Sequence, residues 1–159
     1  MTSHQAPDLS PYSSLGEALR AALEKWQEHL CLIEADRDRE NCRLSYSDFR
    51  GSAESIVSAL QSSGFAEADR AAILMSNQSK WLIAAYAVFY SGGVLVPIDF
   101  KLTAAEHLAL LAHSEVRSLI VEFPIWRALT QSPGFSGLST VQVLVTEAPK
   151  NADLMGAQR

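Results

Sequence analysis

Three blocks of sequence decide the fold: Ala71-Ala72-Ile73-Leu74-Met75, then Trp81-Leu82-Ile83-Ala84-Ala85-Tyr86-Ala87-Val88-Phe89-Tyr90, then Val94-Leu95-Val96. The first and last are apolar runs too short for a helix, so they read as buried strands. The middle run is apolar on nearly every side, which predicts a central, buried helix over Gln78 to Tyr90 with Asn77 as its cap. Gly92-Gly93 ends that helix, because glycine accepts the left-handed backbone of a C-terminal cap. Pro97 closes the last block, since proline cannot donate to a strand ladder. Strand, helix and strand at this spacing imply a parallel crossover.

The pattern continues in both directions. Leu15, Ala18, Leu19, Ala22, Leu23, Trp26 and Leu30 recur at steps of three and four, marking one helix face, with Ser14 and Glu17 placed for reciprocal capping. Cys31-Leu32-Ile33, a charged stretch from Glu34 to Arg43, and Leu44 with Tyr46 read as two short strands around an exposed turn. Phe49, Ala53, Ile56, Val57 and Leu60 mark a further helix, with Ser45 and Asp48 at its start and Gly64 at its C′ position. Downstream, Thr103 and Glu106 form a capping box before the helix carrying Leu108, Leu111 and Ala112. A strand at Ser118 to Val121, a short helix at Pro124 to Thr130, a Gly/Ser/Pro loop from Gln131 to Ser139 and a last strand at Val141 to Val145 follow. The fold class is therefore α/β, a layered, mostly parallel sheet with flanking helices. Residues 1–13 read as a flexible leader, 14–146 as the α/β domain and 147–159 as a polar tail.

Composition narrows the function classes. At 159 residues one core is the default, and 48% hydrophobic against 19% charged residues can fill it. A net charge of -5 with scattered Lys and Arg lacks the basic face of a nucleic-acid binder. The start of the chain shows no secretory signal, and the ten-residue run from Trp81 to Tyr90 is about half of a membrane span. A cytoplasmic protein is expected. Cys31 and Cys42 flank the hairpin; a cross-strand disulfide and two reduced, buried thiols are the alternatives, the second preferred in a cytosolic protein.

Chemistry-bearing motifs are missing from the 159 residues. There is no GxGxxG, no GxxxxGK[ST] and no GxSxG. Gly92-Gly93 lies between a helix and a strand, the wrong order for a phosphate turn, and Ser132 to Gly137 reads as a surface turn. His107 and His113 do not share a helix face, and both read as solvated or helix-end residues. Asp36, Asp38 and Glu40, alternating with arginines, read as a solvated turn rather than a calcium loop. No catalytic, cofactor-binding or metal residue is assigned.

Five landmarks, in order, carry a resemblance to a known family. Leu44-Ser45-Tyr46-Ser47-Asp48-Phe49 is similar to an L-[ST]-Y-x-[ED]-L opening, Ala68 to Leu74 to G-D-R-V-A-I-L, and Ser76 to Trp81 to P-N-S-x-E-W. Tyr90 to Asp99 resembles K-A-G-A-x-x-V-P-[IL]-[DN], and Lys101-Leu102-Thr103 with Leu110 to Ser114 resembles R-L-T and L-L-x-D-S. Ala68, Lys80 and His113 depart from the usual residues. These are the wording of the adenylate-forming, AMP-binding superfamily, closest to the acyl-CoA synthetases. Tyr46, Asp69, Arg70, Gly92, Gly93, Pro97 and Asp99 are landmarks that read physically as caps, turns and packing.

The resemblance implies an intact parent enzyme that joins a carboxylic acid to the α-phosphate of ATP, releases pyrophosphate and passes the acyl group to a thiol. ATP, Mg and coenzyme A are implied for that parent and no cofactor for the 159 residues alone, because the family's Thr/Ser/Gly-rich loop ending in Pro-Lys-Gly does not occur here. The chain is accordingly expected to be an inert N-terminal portion whose partner is the remainder of the parent. Alternatives are a free-standing α/β interaction module, a nonribosomal peptide synthetase-type adenylation fragment and a flavodoxin-like domain. Truncation would leave an apolar face at Leu119, Val121, Val141 and Val143, driving self-association.

Overall fold

A computed structural model describes residues 8–138 and 140–158. The first seven residues of the expected leader, His4 among them, lie outside the described residues, as do Ser139 and Arg159. The elements are α1 (Leu15–Trp26), β1 (Leu30–Asp36), β2 (Arg39–Ser45), α2 (Tyr46–Ser62), β3 (Arg70–Leu74), α3 (Ser79–Tyr90), β4 (Val94–Pro97), α4 (Ala104–Ser114), β5 (Ser118–Glu122), α5 (Phe123–Thr130) and β6 (Gln142–Thr146), with a 3-10 turn at Phe135–Leu138.

The described strands form an antiparallel hairpin, β1-β2, and a four-stranded sheet in the order β4-β3-β5-β6. Every pairing in the larger sheet is parallel. Alternation along the strands sorts the core into two layers. Ala71, Ile73, Met75 and Ile120 meet Ala84, Ala85 and Val88 of α3 and Leu60 of α2. Ala72, Leu74, Leu119, Val121, Val143 and Val145 meet Leu108 and Leu111 of α4 and Trp126 and Leu129 of α5. A third cluster joins Leu23 of α1, Phe49, Ala53 and Val57 of α2, and Ile83 and Tyr86 of α3.

Local signals set most helix ends. Ser45 with Asp48 and Thr103 with Glu106 form complete capping boxes. Beyond α2, Gly64 has φ 81°, and its amide and that of Phe65 donate to Gln61 and Leu60 carbonyls, closing a Schellman turn. Gly92, at φ 72°, ends α3 the same way, with Gly93 donating to the Val88 carbonyl.

Several expectations are corrected by nonlocal contacts. The α1 stripe stops at Trp26, and Leu30 opens β1 instead. Ser14 does accept from the Glu17 amide, but the Glu17 carboxylate turns to Ser13, accepting from its amide and hydroxyl at 2.7 Å each, so the box is not reciprocal. Tyr46 begins α2 rather than ending a strand. Asn77 does not cap α3: the N-cap is Gln78, whose own side chain makes no capping bond. The α3 helix is buried over most of its surface, yet Leu82 is 49% exposed. β4 is a sheet edge, with Val94 48% exposed, because a short apolar run does not reveal whether a strand has one neighbour or two.

The free apolar face expected on the late strands is covered. Leu119 and Val121 are fully buried and Val143 nearly so, beneath α4 and α5; Val141 is half-buried. The segment read as a polar tail contributes to this layer, with Ala148, Leu154 and Ala157 packed on it. The Trp126 indole N–H donates to the Leu154 carbonyl at 3.2 Å. Val145 donates to the Gln158 carbonyl and Gln158 to that of Val143, so the outer edge of β6 is partly paired. That face is therefore not available to drive self-association. His107, expected to be a solvated or helix-end residue, is buried and bonds the Asp99 carbonyl through Nε2 at 2.9 Å. His113 sits in the last, exposed turn of α4, as expected.

Candidate functional site

In this sheet the chain leaves β3 through α3 toward β4 on one face, and leaves β5 through α5 toward β6 on the other. Adjacent strands whose connections diverge in this way leave a crevice at their carboxyl ends, where open α/β sheets place ligands. The residues at that crevice are Ser76 and Gln78 after β3, Glu122 ending β5, and Thr146 and Glu147 at the end of β6.

Three of them, Ser76, Gln78 and Glu122, form one hydrogen-bonded group. The Glu122 carboxylate accepts from the Ser76 hydroxyl at 2.9 Å and from the Gln78 side-chain amide at 2.9 Å, and that amide also donates to Ser76 Oγ at 3.1 Å. All three side chains are part-buried, where such bonds gain strength. Lys80 pairs with Glu147. The Thr146 hydroxyl is buried and lacks a hydrogen-bond partner among the described residues.

The first turn of α3 borders the crevice and is closed from outside. Glu34 of β1 reaches across 45 residues of sequence to accept from the Ser79 amide at 2.7 Å. A carboxylate there satisfies an orphan donor and meets the positive end of the helix dipole. Hydrogen bonding by Ser79 holds the Glu34 carboxyl below the usual range; Lys80 adds to the effect and partial burial opposes it. Around this turn Glu34, Glu122 and Glu147 stand against Lys80, an acidic setting.

A second concavity, about 580 Å³, is apolar and lies between α1, the hairpin and α3; Leu19, Cys31, Tyr46, Trp81, Tyr86 and Phe89 line it. The two cysteines are free and half-buried. Cys42 faces Glu34 across the hairpin and Cys31 falls at a register shift, so they are not cross-strand partners. Burial raises the Cys31 thiol pKa.

The family landmarks do what caps, turns and packing require. Asp69 accepts from the Ala66 amide, Arg70 pairs with Glu115 at 2.7 Å, and Asp99 accepts from the Lys101 amide. A Cβ on Gly93 would lie 2.6 Å from the Phe65 ring. None of these residues joins the Ser76–Gln78–Glu122 group. That group was not foreseen, because only the strand order brings β3 and β5 side by side. Glu34 sat inside a charged run with nothing to tie it to Ser79. Among the described residues no three His, Cys, Asp or Glu side chains are grouped to hold a metal, and no helix is long and apolar enough to cross a membrane.

A family model described as AMP-binding enzyme matches residues 19–156. The chain is 29% identical over 109 residues to 4-hydroxybutyrate–CoA ligase 2 of Metallosphaera sedula, covering 69% of this chain and 19% of that protein. It is 33% identical over 107 residues to indoleacetate–CoA ligase of Aromatoleum aromaticum, covering 67% and 20%. Among solved structures, the luciferase-like enzyme of the mealworm Zophobas morio superposes with a TM-score of 0.75 at 22% identity, over 92% of this chain and 34% of that one. The chain thus spans about a fifth of the length of these ligases.

Proposed function

The chain belongs to the AMP-binding enzyme family, and on that premise we propose that it is the N-terminal portion of an AMP-forming acid–thiol ligase of the acyl-CoA synthetase type. The whole protein would form an acyl adenylate from a carboxylic acid and ATP, then pass the acyl group to a thiol, in the cytoplasm. The observation that carries this reading is the match to CoA ligases along most of this chain but only about a fifth of theirs.

The 159 residues contribute scaffold and not, by themselves, the grip on nucleotide. The acidic surroundings of α3's first turn support this, since Glu34, Glu122 and Glu147 oppose a triphosphate at the crevice where an open sheet would otherwise receive one. No Pro-Lys-Gly loop occurs in the sequence to offset them. ATP, Mg and coenzyme A are accordingly assigned to the whole protein. Reading the coding sequence past Arg159 tests the assignment. A Thr/Ser/Gly-rich loop ending in Pro-Lys-Gly supports it, and a stop codon directly after Arg159 would favour a free-standing interaction module.

A further inference from the structure

Among the described residues the β1-β2 hairpin shares no ladder with the four-stranded sheet. Its root is anchored: Tyr46 donates to the His29 carbonyl, Ser47 to the Gln27 carbonyl, and the Ser47 hydroxyl to Glu28. Its tip, Asp36 to Glu40, is exposed. Between root and tip, the one hydrogen bond described from the hairpin to the body is that from the Ser79 amide to Glu34. That bond is also α3's cap, because the Gln78 side chain is engaged with Ser76 and Glu122. Beneath it lies a cleft of about 410 Å³, lined by Leu32, Glu34, Asn77, Gln78, Trp81 and Leu82. Gln78 is shared between this cleft and the carboxyl-edge group.

We propose that the hairpin is a strap over the first turn of α3, tied there by Glu34 and anchored at its root, whose β1-β2 ladder loosens and parts from the body when the tie is broken. The four-stranded sheet does not depend on the tie, since its core is built from β3, β5, β6 and their helices. The charges nearest the tie are Lys80 on α3, held by Glu147, and on β2 the residue facing Glu34 is the uncharged Cys42. Neither offers a substitute carboxylate for Ser79. The strap thereby sets access to Gln78 and, through it, to Glu122.

Amide hydrogen exchange on the 159-residue chain at neutral pH tests the proposal with Glu34→Ala and Glu34→Gln. A cap of ordinary strength, about 1 kcal/mol, corresponds to roughly fivefold in exchange. In Glu34→Ala the Ser79 amide and the hairpin ladder, residues 30–45, are expected to exchange roughly fivefold faster together, with β3 and β5 unchanged. Glu34→Gln, whose amide oxygen still accepts, should show the same pattern at smaller amplitude, and it carries the test if the alanine variant does not fold. Faster exchange at Ser79 with an unchanged hairpin would reduce Glu34 to a cap and overturn the strap. Uniform acceleration across the whole chain, or none anywhere, would overturn it equally.

Discussion

Replacing Gly93 with alanine puts the packing between α2, α3 and β4 to a direct test. The added Cβ would lie 2.6 and 2.7 Å from Cζ and Cε1 of Phe65 and 3.2 Å from the Asp69 carbonyl oxygen. Carbon atoms rest at about 3.5–4.0 Å, so the ring must retreat by about 1 Å. It has little room to do so, because Phe65 is buried among Leu60, Ala71 and Val88. Nor can the backbone move freely, since the Asp69 carbonyl accepts from the Val94 amide at 2.8 Å at the start of the β3–β4 pairing. Overpacking of this kind costs about 1–3 kcal/mol. For a domain of this length that lowers the melting temperature by roughly 2–12 °C. Calorimetric melting of Gly93→Ala, Phe65→Leu and the double variant measures it, and the pair should couple, with the smaller leucine recovering at least about 1 kcal/mol of the alanine's cost. A Gly93→Ala protein melting within about 1 °C of the parent, or strictly additive variants, would refute the close approach on which this reasoning rests.

Two further outcomes are expected. Ala84 is fully buried in α3, so Ala84→Glu places an unpaired charge in the core at a cost of several kcal/mol and unfolds the chain; a cooperative melt close to the parent's by circular dichroism would contradict this. Hydrogen bonds from Ser13, Ser45 and Thr103, side chain first and then backbone, hold the carboxyls of Glu17, Asp48 and Glu106 below their ordinary values. A carboxyl with a depressed folded-state pKa contributes stability that is fully present above its unfolded value and lost as pH falls through the folded one. The melting temperature should therefore hold from pH 7 to about pH 5 and fall below about pH 4; a decline already complete at pH 5 would assign the transition to other groups.

What was legible in the sequence was local. Ser45 with Asp48, Thr103 with Glu106, Gly64 and Gly92 all act within four or five residues of chain, and each sits where its type and spacing put it. What was not legible depends on distant segments. Asn77 has the chemistry of a cap, but the Ser79 amide at the start of α3 is answered by Glu34 from another sheet. His107 lies on an apolar face whose burial depends on the loop at Asp99. Val94 to Val96 looked as buried as Ala71 to Leu74, and only strand order separates an edge from a centre. The Ser76–Gln78–Glu122 group was out of reach for the same reason, since Glu122 lies 44 residues beyond Gln78. The α/β class and the family wording, by contrast, rest on many weak local signals in one order, and those survive.

On the proposed function, these residues are scaffold for acyl adenylation and do not themselves hold the nucleotide. Carboxylate-dependent exchange of pyrophosphate into ATP, measured with magnesium on the 159-residue chain and on the product of its complete coding sequence, tests both halves. Exchange by the complete product with at least one acid of a broad panel, and none by the 159 residues, is the predicted result. Exchange catalysed by the 159-residue chain alone, or a complete product inert toward every acid, would overturn the proposed function.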